Sequence, residues 1–256
     1  MVKVLVLRAA GSNCDHETKY AFDFAGAQSD LVHVNRLLEG DVALSDYQIL
    51  AIPGGFTYGD DISAGRVLAN QMRYKLGEQL VKFHNQDKLI IGICNGFQVL
   101  VKSGLLPHID LDAEQDVTLT FNDSGKFEDR WVNLARRESV CVFTQGDKDR
   151  VYFPVAHAEG KFVVRNKDVL QKLKDNAQIV FQYESPDGGA PAYPQNPNGS
   201  IEDIAGICDP TGRVLGMMPH PERFIDPINH PQWTRKGLQE QGDGVGIFEN
   251  AVRYFL

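Results

Sequence analysis

Of the four cysteines in this chain, Cys94 is set apart by its frame, Gly92-Ile93-Cys94-Asn95-Gly96. Glycine two residues to either side of a nucleophile marks a sharp strand-to-helix turn. Such a turn brings backbone segments too close together to admit a Cβ. It also lifts the sulfur over a helix N-terminus, whose free N–H groups and dipole favour thiolate over thiol. A small buried apolar cysteine is the commoner use of this residue. The paired glycines weigh against it here.

A cysteine nucleophile needs a base, and the base needs an orienting partner. The chain has seven histidines. His16, His33, His84, His108 and His230 stand among polar or loop residues and are expected to be solvated. His157, in Ala156-His157-Ala158-Glu159-Gly160, is expected to be a hydrogen-bonded structural residue. His220 differs, because Met218-Pro219-His220-Pro221-Glu222-Arg223 follows a short apolar run. The prolines fix φ and favour extended neighbours. An extended His-x-Glu puts both side chains on one side of the chain. Glu222 can then hold the imidazole tautomer that takes the thiol proton. The plainer alternative is a proline-stiffened turn with an exposed ion pair to Arg223.

Attack on a carbonyl leaves an oxyanion that needs N–H donors. Pro53-Gly54-Gly55 allows close backbone approach, and the amides of Gly55 and Asn95 form the natural pair. No phosphate-binding loop, no G-x-G-x-x-G after a strand and no metal-ligand spacing occurs. Asp60-Asp61 is read as capping a following helix rather than binding a cation. The pattern is one of acyl transfer without a nucleotide site.

These residues need a scaffold that ends strands at one rim. Val2–Leu7, Leu31–Val34, Gln48–Ile52 and Leu89–Ile93 read as strands. Between them lie a helix capped by Asp15 with Tyr20, Ala21, Phe24 and Ala25 inward, and one spanning Leu68–Phe83. Asn95–Ser103 forms the helix after Cys94, stopped by Gly104. Strands alternating with helices predict a doubly wound, mostly parallel α/β sheet, with ligands beyond the carboxyl ends of its strands.

After about residue 110 the texture changes to an antiparallel excursion. Val117–Phe121, Val140–Phe143, Val151–Val155, Phe162–Val164 and Ile179–Tyr183 are strand candidates, and Asn166–Asn176 a helix. Ile204–Cys208 and Val214–Met218 flank a tight turn. Gly246–Phe255 reads as a closing helix and Pro186–Gly199 as a surface loop.

The chain has 256 residues, 43% of them hydrophobic, with a formal net charge of −8. An acidic chain without a Lys/Arg cluster is a poor ligand for nucleic acid or an anionic membrane. No signal-peptide pattern, membrane-length apolar run or C-x-x-C pair is present. A reduced cytoplasmic protein is the expectation.

Taken together, Gly92-Ile93-Cys94-Asn95-Gly96-Phe97-Gln98, Pro53-Gly54-Gly55 and Pro219-His220-Pro221-Glu222 resemble the class I, triad-type glutamine amidotransferases. Gly54-Gly55-Phe56-Thr57-Tyr58-Gly59-Asp60, Met218 to Arg223, Asn13-Cys14-Asp15 and Asn196-Pro197-Asn198-Gly199-Ser200 resemble the branch serving phosphoribosylformylglycinamidine synthase. The resemblance covers nearly the whole chain and is weakest over residues 226–243. It implies a single flavodoxin-like amidotransferase domain over residues 1–256. It also implies that Cys94 attacks glutamine, assisted by His220 and Glu222, with Gly55 and Asn95 as oxyanion hole. Gly54 and Gln98 would shape the glutamine site, and Asn196–Ser200 would lie near a subunit contact.

Ammonia would pass to a synthetase subunit holding ATP and magnesium, with a small accessory subunit as a further partner. That subunit would convert formylglycinamide ribonucleotide to its amidine in purine biosynthesis. Two other readings compete: the glutaminase of a different synthetase, such as one forming guanylate or anthranilate, and a non-catalytic redox-sensing protein with Cys94 as sensor. The second does not need the His220–Glu222 pair.

Overall fold

The computed structural model describes residues 1–112 and 114–256. The first half alternates β1 (Lys3–Arg8), α1 (Asp15–Phe24), β2 (Gln28–His33), α2 (Val34–Leu38), β3 (Ile49–Ile52), α3 (Arg66–Lys75), α4 (Gly77–His84), β4 (Leu89–Ile93) and α5 (Asn95–Ser103). The second half contains β5 (Val117–Thr120), β6 (Glu128–Arg136), β7 (Arg150–His157), β8 (Lys161–Val164), α6 (Lys167–Asp175), β9 (Ile179–Glu184), β10 (Ile204–Cys208), β11 (Val214–Met217), α7 (Trp233–Lys236) and α8 (Val245–Arg253).

Nine strands form one sheet in the order β2-β1-β3-β4-β11-β10-β9-β6-β7, and β5 pairs with β8 separately. The neighbours from β2 to β11 are parallel. From β11 to β7 every pairing is antiparallel. β3 and β4 are buried at every position, as strands covered on both faces must be. Helix α5 is buried along its whole length. It can lie this close because Gly92 and Gly216, partners across β4 and β11, are bare. A Cβ on Gly216 would fall 2.1 Å from the Phe97 ring.

The antiparallel half curls back over the carboxyl ends of the parallel strands. A flat sheet would hold β7 four strand spacings from β11, roughly 19 Å at about 4.8 Å each. Yet the His220 N–H, just beyond β11, donates to the Pro154 carbonyl of β7 at 2.9 Å. Pro154 is tolerated because β7 is the edge strand.

Several local expectations need correction. The predicted helix Leu68–Phe83 is two helices, interrupted at Leu76 (φ −115°, ψ 0°). Val140–Phe143 does not join a sheet. Its amides bond outward to Ala177 and Gly212, and a 3-10 turn follows over Val142–Thr144. Strand β6 is rich in charge and carries no alternation that would mark it in the sequence. Helix α1 buries Asp15, Thr18, Ala21 and Phe22, whereas Tyr20 and Phe24 are about half exposed. Asp15 is not a side-chain cap; it pairs with Arg8 at 2.5 Å.

His84 and His230 are buried rather than solvated. His84 Nε2 bonds Asp209 at 3.1 Å, and His230 packs among Trp131, Tyr152 and Phe224. Asn196–Ser200 is also built inward: the Asn198 amide donates to Gly160 and to the Tyr183 hydroxyl.

Candidate active site

Cys94 closes β4 and caps α5 with φ 52° and ψ −106°. A non-glycine residue there carries strain of about 1–3 kcal/mol and persists only where its surroundings enforce it. The enforcement is visible. The Cys94 N–H donates to Met217 at 2.7 Å, tying the turn to β11. A Cβ on Gly96 would strike the Ile52 carbonyl at 1.9 Å, and one on Gly92 would strike the Gly96 carbonyl at 2.6 Å. The turn therefore has the elbow geometry its glycines suggest.

Gly54 is where the distant parts meet. A Cβ built on it would lie 2.7 Å from Cε1 of His220, 3.2 Å from Sγ of Cys14 and 3.4 Å from Cβ of Cys94. Only glycine leaves room for that junction. His220 Nδ1 bonds Glu222 Oε1 at 2.6 Å, and both side chains are buried. Among the described residues Nε2 of His220 has no hydrogen-bond partner, which leaves it open to exchange a proton with Cys94.

Burial alone would depress the imidazole's proton affinity. The Glu222 carboxylate, followed by charge on Cys94, outweighs it and lifts His220 well above the usual histidine value. The Cys94 sulfur rests 3.6 Å from the Ala156 carbonyl. The alternative Arg223–Glu222 surface pair is not formed: Arg223 bonds Glu17 and the Cys14 sulfur, each at 3.2 Å.

Cys94 lines a small cavity of about 40 Å³ with Gly55, Phe56, Asp60, Ala64, Gln98 and the Ala156–Glu159 rim. Asn95 organises its floor. Its side-chain oxygen accepts from the Thr57 hydroxyl at 2.7 Å, and its amide donates to Asp60 and Gln98. Gln98 in turn donates to the Glu159 carbonyl at 2.6 Å. Asp60 is thus part of the site wall, and burial raises its carboxyl above the ordinary range.

His157 is the residue whose place in the site the sequence did not disclose. The Asn122 amide donates to the carbonyls of Lys126 and His157, so its oxygen must face the imidazole. His157 Nδ1 therefore carries a proton and donates to that oxygen at 3.2 Å. Burial, with the charge of His220 second, lowers His157 to about 3. It is a neutral histidine beside one whose proton affinity is raised.

Cys14, His220 and Glu222 offer ligand atoms within 4.8 Å of one another, a spacing a cation could use. Two features oppose one. Nδ1 of His220 is committed to Glu222, and the Arg223 guanidinium touches the sulfur.

A strained cysteine over a helix N-terminus, with a carboxylate-oriented imidazole beside it, defines a thiol-dependent acyl-transfer site on a doubly wound sheet. In agreement, residues 1–255 match the CobB/CobQ-like glutamine amidotransferase domain, and the chain belongs to that family. Among its relatives, the phosphoribosylformylglycinamidine synthase subunit PurQ of Dehalococcoides mccartyi is 53% identical over 99% of this chain and 97% of its own. The subunit of the same name from Archaeoglobus fulgidus is 42% identical over 99% and 97%. The structure of PurLQS from Thermotoga maritima superposes with TM-score 0.76 at 30% identity, covering 100% of this chain and 99% of that one. The glutaminase domain of Trypanosoma brucei CTPS, at 14% identity and TM-score 0.55, shares the fold.

Proposed function

We propose that this chain is the glutamine-hydrolysing subunit of a phosphoribosylformylglycinamidine synthase. The observation that carries the reading is the convergence of Cys94 and His220 on the bare Gly54, with Glu222 bonded to His220, within a family whose similar members bear that name. Cys94 sulfur attacks the side-chain amide carbon of glutamine, and His220 takes its proton. The oxyanion rests on the N–H groups of Gly55 and Asn95. The Asn95 amide lies in the first turn of α5, where no intrahelical acceptor exists for it. His220 then protonates the departing nitrogen, which leaves as ammonia. Water hydrolyses the thioester to glutamate. Gly54 and Gln98 shape the glutamine pocket.

Ammonia passes to a synthetase subunit that carries ATP and magnesium and converts formylglycinamide ribonucleotide to the amidine. The solved Thermotoga maritima assembly, named for three components, supports a synthetase partner together with a small accessory subunit. The parallel and antiparallel halves act as one amidotransferase domain. Among the described residues no helix is long and apolar enough to cross a membrane; we assign the chain to the cytoplasm, with purine biosynthesis.

The test is Cys94→Ala in the assembled complex. Glutamine-dependent synthesis is expected to disappear while ammonia-dependent synthesis stays within about twofold of wild type. Parallel loss of both rates would remove Cys94 from this role.

A further inference from the structure

The oxyanion donor at Gly55 depends on one peptide plane, and that plane is held from outside the site. Residues 9–14, after β1, run antiparallel to residues 54–58 beyond β3. The amides of Asn13 and Cys14 both donate to the Gly54 carbonyl, at 3.3 and 3.1 Å. The Phe56 N–H donates to Gly11 at 2.8 Å and the Tyr58 N–H to Ala10 at 2.7 Å. Ser12 and Gly55 face each other between these bonds as an isolated antiparallel bridge.

That pattern makes Ser12 and Gly55 a non-hydrogen-bonded pair, whose own N–H and C=O groups point away from the partner. The Gly54–Gly55 peptide is trans, so its carbonyl and the Gly55 N–H point in opposite directions. Two donors fix the carbonyl toward the turn. The N–H is therefore aimed away from it, and Gly55 lines the Cys94 cavity.

The approach is too close for side chains. A Cβ on Gly11, at φ +88°, would lie 2.0 Å from the Phe56 carbonyl. One on Gly55, at φ +142°, would lie 2.5 Å from both Asn13 N and Gly11 O. The turn also reaches the base, since the Cys14 sulfur lies 4.0 Å from His220 Nδ1.

We propose that the Gly11–Cys14 turn is the positioning element of the oxyanion hole: it holds the Gly54–Gly55 peptide in the orientation that presents the Gly55 N–H beside Cys94. This rests on the glutaminase reading above, in which an oxyanion forms on the glutamine amide carbon. Reversal of the peptide would turn a carbonyl toward that charge.

The experiment is Gly11→Ala in the full chain assembled with its synthetase. Losing one oxyanion donor lowers turnover about 100-fold. Glutamine-dependent kcat is expected to fall by about that factor, with KM for glutamine held within about threefold. Ammonia-dependent synthesis and the rate of Cys94 alkylation by iodoacetamide should stay at wild-type values. A merely structural role would move alkylation as well. Wild-type kcat in Gly11→Ala overturns the proposal.

If that variant does not fold, Ser12→Ala carries the test. Ser12 Oγ accepts from the Ala9 N–H at 3.0 Å and shapes the same turn. An approximately fivefold fall in kcat at constant KM supports the proposal, and an unchanged kcat overturns it. Failure of the underlying reading looks different: wild type would lack glutamine-dependent turnover, or Cys94→Ala would retain it, and the inference would fall with it.

Discussion

His220 and His157 are two buried imidazoles in one site, and they hold their protons in opposite ways. Both are at least 97% buried. His220 follows β11 and faces a carboxylate; His157 ends β7 and faces an amide oxygen. Burial depresses both, and only His220 has a negative partner strong enough to reverse it. One is held as an acid-base group and the other as a neutral wall. A positive wall at that place would oppose the imidazolium that forms when Cys94 gives up its proton. Burial alone does not make an active-site base; the atom opposite the ring nitrogen decides.

The comparison can be broken from either side. Glu222→Gln gives His220 the kind of partner His157 has. Turnover is expected to fall by about 10²–10⁴-fold, the range for a misheld general base. The alkaline limb of kcat against pH should move lower, because burial then acts with less opposition. An unmoved limb would show that Glu222 does not set the proton affinity of His220.

Asn122→Asp makes the converse change by giving His157 a carboxylate. The expected result is a raised His157 titration by NMR and a kcat at neutral pH lowered about tenfold, from like charge beside His220. A raised titration with unchanged kcat would separate the wall from the mechanism.

The smallest effect concerns stability. His157 titrates near 3 when folded and 6.5 when free, so the unfolded chain binds a proton that the folded chain refuses. Stability from this group falls as pH drops from about 6.5 toward about 3. His220 has the opposite sign: its contribution is present below about 6.5 and lost as pH rises through its higher folded value. In His157→Gln, the stability to urea lost on going from pH 7 to pH 5 should therefore be smaller than in wild type, or turn into a gain. An equal difference in both proteins would place the acid sensitivity elsewhere.

The legible parts of this chain are local. Gly92-x-Cys94-x-Gly96, Pro53-Gly54-Gly55 and His220-Pro221-Glu222 each lie within a few residues, and each carries its reason in its own composition. So do the wholly buried strands β3 and β4. The parts that escaped depend on partners far along the chain. His84 appeared solvated because Asp209 lies 125 residues away, and Asn122 lies 35 from His157. Strand β6 exposes Asp129, buries Glu128 beside it and half-covers Arg130 and Trp131, so its alternation is blurred. The turn at Gly11–Cys14 offers only a glycine and small polar residues, and its role exists only against residues 54–58.

The most direct measurement is acid quenching of the complex during glutamine turnover, followed by peptide mass spectrometry. The account predicts a glutamyl thioester on Cys94, with Cys14, Cys141 and Cys208 unmodified. Turnover with no adduct on Cys94, or with the glutamyl group on another residue, would contradict it.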